Sequence, residues 1–310
     1  MNNALIKGFG VTALAAAISA CGGSGSGSSG PATGTASFDV TDAPTTQFSE
    51  VVISFTGLSV KPADGEAIEF TFEEAKTLDL LTLQGGESAP LLEDQELPAG
   101  EYEWIRLKLD LDSSYVFEEG GEQKTLFVPS GAQTGLKLVS GFTVAAGGDE
   151  NFTIDFDVRK SIVNPQGGQA DYYLKPALRL VDNQEVGSIT GEVDYALINS
   201  TRGVDDTEDN LADCAYEGSA YIYEGADVTP TDLNVNEESG PLLVVPVSAN
   251  DSDSLYSYTA AFLSAGDYTV SYSCQLDDNE QDDALEYDGT QNVTVEAGSK
   301  TEAETIPLTL

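Results

Sequence analysis

From Thr35 onward, apolar and polar side chains alternate in short runs along the chain. In the clearest run, Ile105, Leu107, Leu109 and Leu111 are separated by aromatic, basic and acidic neighbours. A repeat of two places alternate side chains on opposite faces of a strand, so this run predicts a half-buried β-strand. Similar runs begin near residues 36, 51, 68, 152 and 172 in the first half, and near residues 189, 220, 242, 255, 268, 291 and 301 in the second.

Three interruptions add detail to this pattern. Gly57 lies where the alternation changes phase between Phe55 and Leu58, which predicts a β-bulge. Residues 78–84 are apolar without alternation and predict a short helical turn. Pro176 lies inside the last run of the first half, so that run is predicted to be an edge strand or to contain a bulge.

The chain contains many short strands with Gly and Pro turns between them and no long amphipathic helix, which is typical of β-sandwiches. We therefore predict an all-β fold with two antiparallel β-sandwich domains, Ig-like or transthyretin-like, at residues 34–183 and 187–310. The polar stretch at residues 182–187 is predicted to be the boundary between them.

One short segment occurs in both halves. Residues 97–102 read Leu-Pro-Ala-Gly-Glu-Tyr, and residues 263–268 read Leu-Ser-Ala-Gly-Asp-Tyr. Each precedes a predicted strand. We interpret the segment as a tight turn that needs Gly, followed by a tyrosine that packs at the end of its sandwich.

The N-terminus has the features of a lipoprotein leader. Lys7 precedes an apolar stretch at residues 11–18, and Ile18-Ser19-Ala20-Cys21 matches a bacterial lipobox. We predict a signal peptide at residues 1–20, a lipid on Cys21 and a Gly/Ser-rich tether at residues 21–33. An ordinary secretory signal with a cysteine at the cleavage site is the alternative interpretation. The Gly after Cys21 is not the Asp that retains lipoproteins at the inner membrane, so we predict an outer-membrane location, on the periplasmic or the cell-surface face.

The chain is strongly acidic, with 53 Asp and Glu against 13 Lys and Arg, no His, and a net charge of −40. Loss of Lys7 with the leader leaves 12 bases and a net charge of −41. Residues 185–310 carry 27 acids and 2 bases, so this half has almost no countercharge of its own. Such a surface repels nucleic acid and anionic lipid. It is either a solvated, salt-tolerant surface or one that also holds specific calcium ions.

Two acidic stretches are the candidate calcium sites. Calcium takes six to eight oxygen ligands, and carboxylates crowded on a loop supply several of them. The main stretch, at residues 277–283, fails the EF-hand pattern because its sixth position is Asp rather than Gly and its twelfth is Asp rather than Glu. The candidate ligands are Asp277, Asp278, Glu280, Asp282 and Asp283 in this stretch and Asp205, Asp206, Glu208 and Asp209 in the second.

Cys214 and Cys274 remain after Cys21 is assigned to the lipid. Outside the cytoplasm, two such cysteines are predicted to form a disulfide. A bridge closing a loop of about 60 residues would contribute about 4 kcal/mol in the chain-entropy model. Two free buried thiols are the alternative.

Several classes of catalysis are excluded by the composition. Without His there is no Ser-His, Cys-His or His-metal site, and neither a Walker loop nor a Ser-x-x-Lys nucleophile is present. A pair of carboxylates, as in glycosidases, would remain, but the sequence does not single out two of its many acids. We therefore predict that the protein is not an enzyme.

Three polar sets have both a functional and a structural interpretation. The Trp104/Arg106/Lys108 and Asp155/Asp157/Arg159 runs are either binding strips or solvent faces whose opposite charges pair across neighbouring strands. Asp39 and Asp42 precede Pro44, where Asp most often caps its own turn, and a calcium ligand is the alternative.

Residues 34–182 resemble the domain of unknown function 4382 family of bacterial lipoproteins. The resemblance rests on stretches in the family's order, at residues 41–44, 97–102, 105–107, 128–131, 134–137, 155–158, 160–162 and 173–176. It implies a fold and an envelope setting, and it transfers no catalytic residue. Residues 187–193 and 265–270 are similar to carboxypeptidase-regulatory-like and transthyretin-like sandwiches, which are usually spacers or binding domains.

Together these features predict a lipid-anchored, non-catalytic protein of the cell envelope that acts as a binding or adhesion module for a glycan or a protein. A structural or assembly lipoprotein that serves as a spacer in an envelope complex is the alternative. An acid-pair glycosidase is the third.

Overall fold

The computed structural model describes residues 32–43, 48–118, 120–129, 135–165, 171–175, 177–194, 197–198, 218–234, 239–249, 256–275, 277–279 and 281–307. These residues belong to one compact unit, Ala32–Leu310. Their buried apolar side chains form two large cores and one smaller cluster. Within these ranges, no helix is both long enough and apolar enough to cross a membrane.

The first sandwich occupies residues 33–182. In chain order, its elements are β1 (Thr33–Ala43), β2 (Phe48–Pro62), β3 (Ile68–Asp79), a 3-10 turn (Leu80–Thr82), β4 (Ala89–Pro98), β5 (Gly100–Leu109), β6 (Tyr115–Glu118), β7 (Gln123–Phe127), β8 (Leu136–Leu138), β9 (Phe142–Val144), β10 (Asp149–Asp157), α1 (Val158–Ser161), β11 (Ile162–Val163), β12 (Tyr172–Leu174) and β13 (Leu178–Asp182).

These strands form two facing sheets. One has the order β13–β10–β1–β4, and the other has the order β11–β12–β7–β6–β2–β5–β8, with β3 paired to β2 and β9 to β5. Most neighbours are antiparallel, as predicted, but β1 is parallel to β10 and β7 is parallel to β12. A parallel neighbour requires a crossover, and between β1 and β10 the chain supplies it by passing through the opposite sheet.

Aromatic rings fill the centre of the first core. Phe38 and Phe152 face each other from neighbouring strands, with ring centroids 5.6 Å apart. Phe142 packs on Phe152 at 5.0 Å and stacks on Tyr102 at 4.6 Å. Pairs of this kind contribute about 0.5–1.5 kcal/mol each beyond the burial of their surface. The rings therefore connect strands from both sheets.

The predicted interruptions of the pattern are found in the structure. The register of β2 shifts between Phe55 and Gly57 against both neighbouring strands, which confirms the β-bulge. A Cβ atom at Gly57 would lie 2.3 Å from the carbonyl oxygen of Phe70, so a larger residue does not fit. The helical turn is the 3-10 turn at Leu80–Thr82, capped by the side chain of Asp79. Pro176 lies outside the described residues.

The second sandwich occupies residues 186–302. Its strands are β14 (Val186–Val193), β15 (Ser219–Glu224), β16 (Leu243–Pro246), β17 (Ser248–Ala249), β18 (Tyr256–Ser264), β19 (Gly266–Ser273), β20 (Asp288–Val295) and β21 (Lys300–Glu302). They form two sheets with the orders β17–β18–β14–β21 and β16–β15–β19–β20. All the pairs are antiparallel except β14 with β21. A turn at residues 183–185 connects this sandwich to the first.

The second sandwich has an apolar layer on each side of strand β15. Ala220 and Ile222 face the main core, whereas Tyr221 and Tyr223 face away from it and are still only 1% exposed. Leu233 and Tyr287 pack over these tyrosines. Because both faces of β15 are covered, its sequence does not show the alternation of apolar and polar residues that marks a half-exposed strand.

The segment that occurs in both halves has the same role in each sandwich. The hydroxyl of Tyr102 donates to the carbonyl oxygen of Pro98 at 2.8 Å, and that of Tyr268 donates to Ser264 at 2.8 Å. Both rings are buried. The contact is of the kind made by the tyrosine corner of immunoglobulin-type sandwiches. The prediction that each tyrosine packs into its sandwich is confirmed, whereas the predicted need for Gly is not met at Gly266, where an added Cβ atom would contact nothing within 4 Å.

Candidate functional site

Four basic side chains and the tryptophan share the outer face of strands β2, β5 and β8. Opposite residues of neighbouring strands lie on the same face of a sheet, and the register places Lys61 opposite Trp104 and Lys137 opposite Arg106. Lys108 follows two residues after Arg106 on β5. The residues between them point into the core. We call this set the Trp104 face: Lys61, Trp104, Arg106, Lys108 and Lys137.

The indole ring holds two cations at the centre of this face. The guanidinium carbon of Arg106 and the Nζ of Lys137 each lie 4.8 Å from the Trp104 ring centroid. Such cation–π contacts contribute about 0.5–1 kcal/mol at exposed sites. Among the described carboxylates, none forms an ion pair with either cation. The centre of the Trp104 face therefore carries two adjacent positive charges held by an aromatic ring.

The two outer lysines of the Trp104 face are paired with acids. Lys108 Nζ lies 2.7 Å from Glu69 Oε2, and Lys61 Nζ lies 3.9 Å from Glu103 Oε2. The hydrogen bond and the positive charge from Lys108 lower the pKa of Glu69. Exposed pairs of this kind contribute about 0–1 kcal/mol. The pairing interpretation therefore holds for Lys108, whereas Arg106 fits the binding-strip interpretation.

The polar side of β10 is paired, but it is not a solvent face. Arg179 Nη2 lies 2.6 Å from Asp155 Oδ2, and these two residues are opposite each other in β13 and β10. Asp155 is 6% exposed and Arg159 is 7% exposed, so the expected solvent exposure is wrong. The reason is tertiary. Leu243 of the second sandwich lines the same cavities as Asp155 and covers this side of the sheet.

The helix α1 is organised by Asp157. Its Oδ1 accepts a hydrogen bond from the Lys160 backbone N–H at 3.2 Å, which caps the helix. Its Oδ2 lies 3.2 Å from Lys160 Nζ. This capped turn follows β10 directly and carries Arg159 at the junction with the second sandwich. Burial raises the pKa of Asp277 in the second sandwich, and the positive charge of Arg159 is one of the interactions that partly offset this rise.

Asp42 is a buried carboxylate at the end of the first core. The sequence predicts that Asp42 caps a turn before Pro44. In the structure β1 instead continues to Ala43 and holds Asp42 opposite Phe156. It is 5% exposed, and neither oxygen has a hydrogen-bond partner of good geometry among the described residues. Burial raises its pKa well above the usual value. The negative charges of Asp155 and Asp157 add to this effect, and the Val158 backbone N–H and Arg159 only partly offset it.

The acidic stretch at residues 277–283 is held by the protein's own hydrogen-bond donors. Asp277 Oδ2 accepts hydrogen bonds from the Tyr221 hydroxyl at 2.9 Å and from the Leu233 N–H at 3.3 Å. Asp282 accepts from the side chain of Asn234, and Asp283 accepts from the N–H of Asp278. Burial raises the pKa of Asp277, and the hydrogen bond from Tyr221 opposes the rise.

The predicted calcium ligands are only partly within the described structure. Among the described residues, no group of three or more acidic or sulfur side chains has an arrangement that could hold a metal ion. Glu280 and the whole second cluster, Asp205, Asp206, Glu208 and Asp209, lie outside the described residues. Calcium binding therefore stays a prediction.

Of the three cysteines, Cys274 is among the described residues. Cys274 is fully buried in the second core. Cys214 and Cys21 lie outside the described residues, so both the disulfide and the lipid attachment stay predictions.

Comparison with protein families identifies the first sandwich. Residues 33–176 match the family described as domain of unknown function DUF4382. Over these residues the first sandwich is similar to DUF4382 domains. Two of the stretches on which the sequence resemblance rested lie side by side, because the register pairs Thr41 with Asp155 and Asp42 with Phe156. No curated protein matches the chain.

The solved structures to which the chain is similar include two pilins. The minor pilin GBS52 of Streptococcus agalactiae is 12% identical, with 88% of this chain and 97% of that chain covered and a TM-score of 0.19. A mutant of the major pilin of Streptococcus pyogenes is 10% identical, with 89% and 99% covered and a TM-score of 0.15. The similarity of the second sandwich to carboxypeptidase-regulatory-like domains stays a prediction.

Proposed function

We propose that the protein is a lipid-anchored, non-catalytic binding module of the cell envelope, and that it binds an anionic ligand through the Trp104 face. One observation carries the proposal. In a chain with 13 basic residues and a net charge of −40, four of the bases lie together on one outer sheet face with the single tryptophan. Two of them, Arg106 and Lys137, form no ion pair with any described carboxylate.

The chemistry of these side chains fits recognition rather than turnover. Arg presents a planar fork of donors that matches a carboxylate or sulfate group, and Lys adds a point charge beside it. The indole limits the freedom of both side chains before a ligand arrives, which reduces the entropy lost on binding. The face therefore has the features of a preorganised anion-binding surface.

The proposed lipid on Cys21 would attach the protein to the envelope, 12 positions before the start of β1 at Thr33. We propose an outer-membrane location on the periplasmic or cell-surface side. Cell fractionation tests it: the protein should be in the membrane fraction and a Cys21→Ser variant should not be. An equal membrane share for both would contradict lipid anchoring.

A matched pair of polymers tests the binding function. The full-length protein in nonionic detergent should bind immobilised carboxymethyl-dextran and not uncharged dextran of the same length. The double variant Arg106→Gln/Lys137→Gln should bind about tenfold more weakly or less, since loss of one charge-assisted contact costs about 1.4 kcal/mol or more. The double variant Lys124→Gln/Lys300→Gln removes the same charge away from the face and should bind as the wild type does. Equal loss in both variants would show a nonspecific charge effect and contradict the proposal.

The junction between the sandwiches favours a spacer function as the second candidate. Buried Asp155 and Arg159 of the first sandwich lie against the second, so the two are not simply linked by a free hinge. A spacer would copurify with a stoichiometric envelope partner after crosslinking, and the Arg106→Gln/Lys137→Gln variant would leave that partner unaffected. This outcome would favour the spacer over the binding module.

A further inference from the structure

The Trp104 face is elongated, and this shape bears on the ligand. Trp104, Arg106 and Lys108 are successive outward residues of β5, and alternate residues of a strand are about 7 Å apart. The three side chains therefore follow a line of about 14 Å along one strand. Lys137 widens this line at its centre, where it lies opposite Arg106. A row of this kind fits a chain that lies along the strand better than it fits a single small anion.

The rest of the protein opposes any anionic ligand at long range. The net charge is −40, and residues 185–310 carry 27 acids against 2 bases. The Debye length is about 30 Å at 0.01 M salt and about 10 Å at 0.1 M. At low salt the ligand therefore meets the repulsion of the whole molecule, whereas at moderate salt it meets mainly the local charges. The local charges are two cations that form no ion pair with a described carboxylate, Arg106 and Lys137, and two lysines paired with Glu69 and Glu103.

We propose, building on the proposed function, that the Trp104 face binds an extended carboxylated polysaccharide along β5, and that affinity is highest at intermediate ionic strength. Raising the salt from low values removes the long-range repulsion first, because that interaction acts over distances above the Debye length. Only at higher salt are the short contacts between the ligand carboxylates and Arg106 or Lys137 weakened as well. The Trp104 face would thus bind its ligand at moderate salt concentrations, at which a cationic patch on a less acidic protein has already lost affinity.

Other anionic polymers fit these observations less well. Double-stranded DNA carries about one charge per 1.7 Å, so the acidic surface repels it most strongly. Single-stranded nucleic acid is bound through several stacked aromatic side chains, and this face has one tryptophan. An anionic membrane would bring a whole charged plane against the acidic protein. A polysaccharide with about one carboxylate per sugar has a lower charge density than DNA. A single chain of it would contact the Trp104 face without bringing charge against the rest of the acidic surface.

Titration calorimetry on the full-length protein in nonionic detergent tests this inference with polygalacturonate as the probe. Affinity should rise at least about tenfold between about 0.01 M and about 0.1 M NaCl, and should fall again at about 1 M, where the Debye length is about 3 Å. Galacturonate monomer at the same uronate concentration should bind at least about tenfold more weakly than the polymer, because it engages one part of the row. The Arg106→Gln/Lys137→Gln variant should show no maximum of affinity at intermediate salt, whereas the Lys124→Gln/Lys300→Gln variant should show the same maximum as the wild type.

The outcomes separate this inference from the proposed function. If affinity falls steadily from the lowest salt, or if monomer binds as well as polymer, the inference is wrong although the face still binds anions. Tighter binding of single-stranded RNA or of anionic vesicles than of polygalacturonate would overturn the ligand class. If no anion binds at any salt concentration, the proposed function itself fails.

Discussion

Replacing Asp42 by Asn should stabilise the protein at neutral pH. The carboxylate is 5% exposed and has no hydrogen-bond partner of good geometry among the described residues. Burial and two acids, Asp155 and Asp157, disfavour its charged form, whereas the Val158 backbone N–H and Arg159 favour it and only partly offset them. A buried polar group without a partner costs about 1–3 kcal/mol, and more when it is charged. Asn has nearly the same shape, removes the charge and supplies an N–H₂ group that can donate to the neighbouring acids.

The pH dependence of this effect has a definite sign. Burial raises the pKa of Asp42 in the folded state, so between the unfolded and the folded pKa the folded state binds more protons. Stability from this group is therefore full below the unfolded pKa, about 4, and is lost as the pH rises through the folded pKa. The Asp42→Asn variant should exceed the wild type by about 1–3 kcal/mol at pH 7. The difference should shrink towards zero below about pH 4.

Thermal unfolding followed by circular dichroism at both pH values measures this difference. The exposed turn residue Asp64 gives the control, because Asp64→Asn removes the same charge without relieving a buried group. The control should change stability by less than about 0.5 kcal/mol at either pH. A loss of stability in the Asp42→Asn variant at pH 7 would refute the reasoning, because it would mean that the carboxylate is held by favourable interactions.

Three further substitutions test other contacts. Tyr102→Phe should lower the free energy of unfolding by about 0.5–1.5 kcal/mol in denaturant titration, because it removes one buried hydrogen bond and keeps the ring; no loss would contradict the tyrosine-corner role. Arg179→Met should cost about 3–5 kcal/mol by leaving a buried charge unpaired, and adding Asp155→Asn should restore much of it; failure of this rescue would show that Arg179 acts through packing alone. Asp277→Ala should cost about 1–3 kcal/mol equally in calcium and in EDTA, because Tyr221 loses its acceptor, whereas a loss seen only in calcium would favour the metal site.

The short-range features of this protein follow from its sequence. The alternation at residues 105–111 predicted β5, and the phase change at Gly57 predicted the bulge that the register shows. The segment shared by residues 97–102 and 263–268 predicted a packed tyrosine in each sandwich, and both tyrosines are buried and donate to a backbone carbonyl four residues upstream. Each of these depends on a few consecutive residues, whose spacing alone decides which side chains share a face.

The tertiary structure decided what covers each face. Asp155 alternates with core residues of β10, and that pattern is identical for a solvent face and for a face buried under a second sandwich. Arg106 and Lys137 are 31 positions apart, and only the register of β5 with β8 brings both to one indole ring. The periodicity of a strand shows only which of its side chains share a face. The partner of each side is set by contacts between distant parts of the chain, and these contacts leave no periodic signal in the sequence.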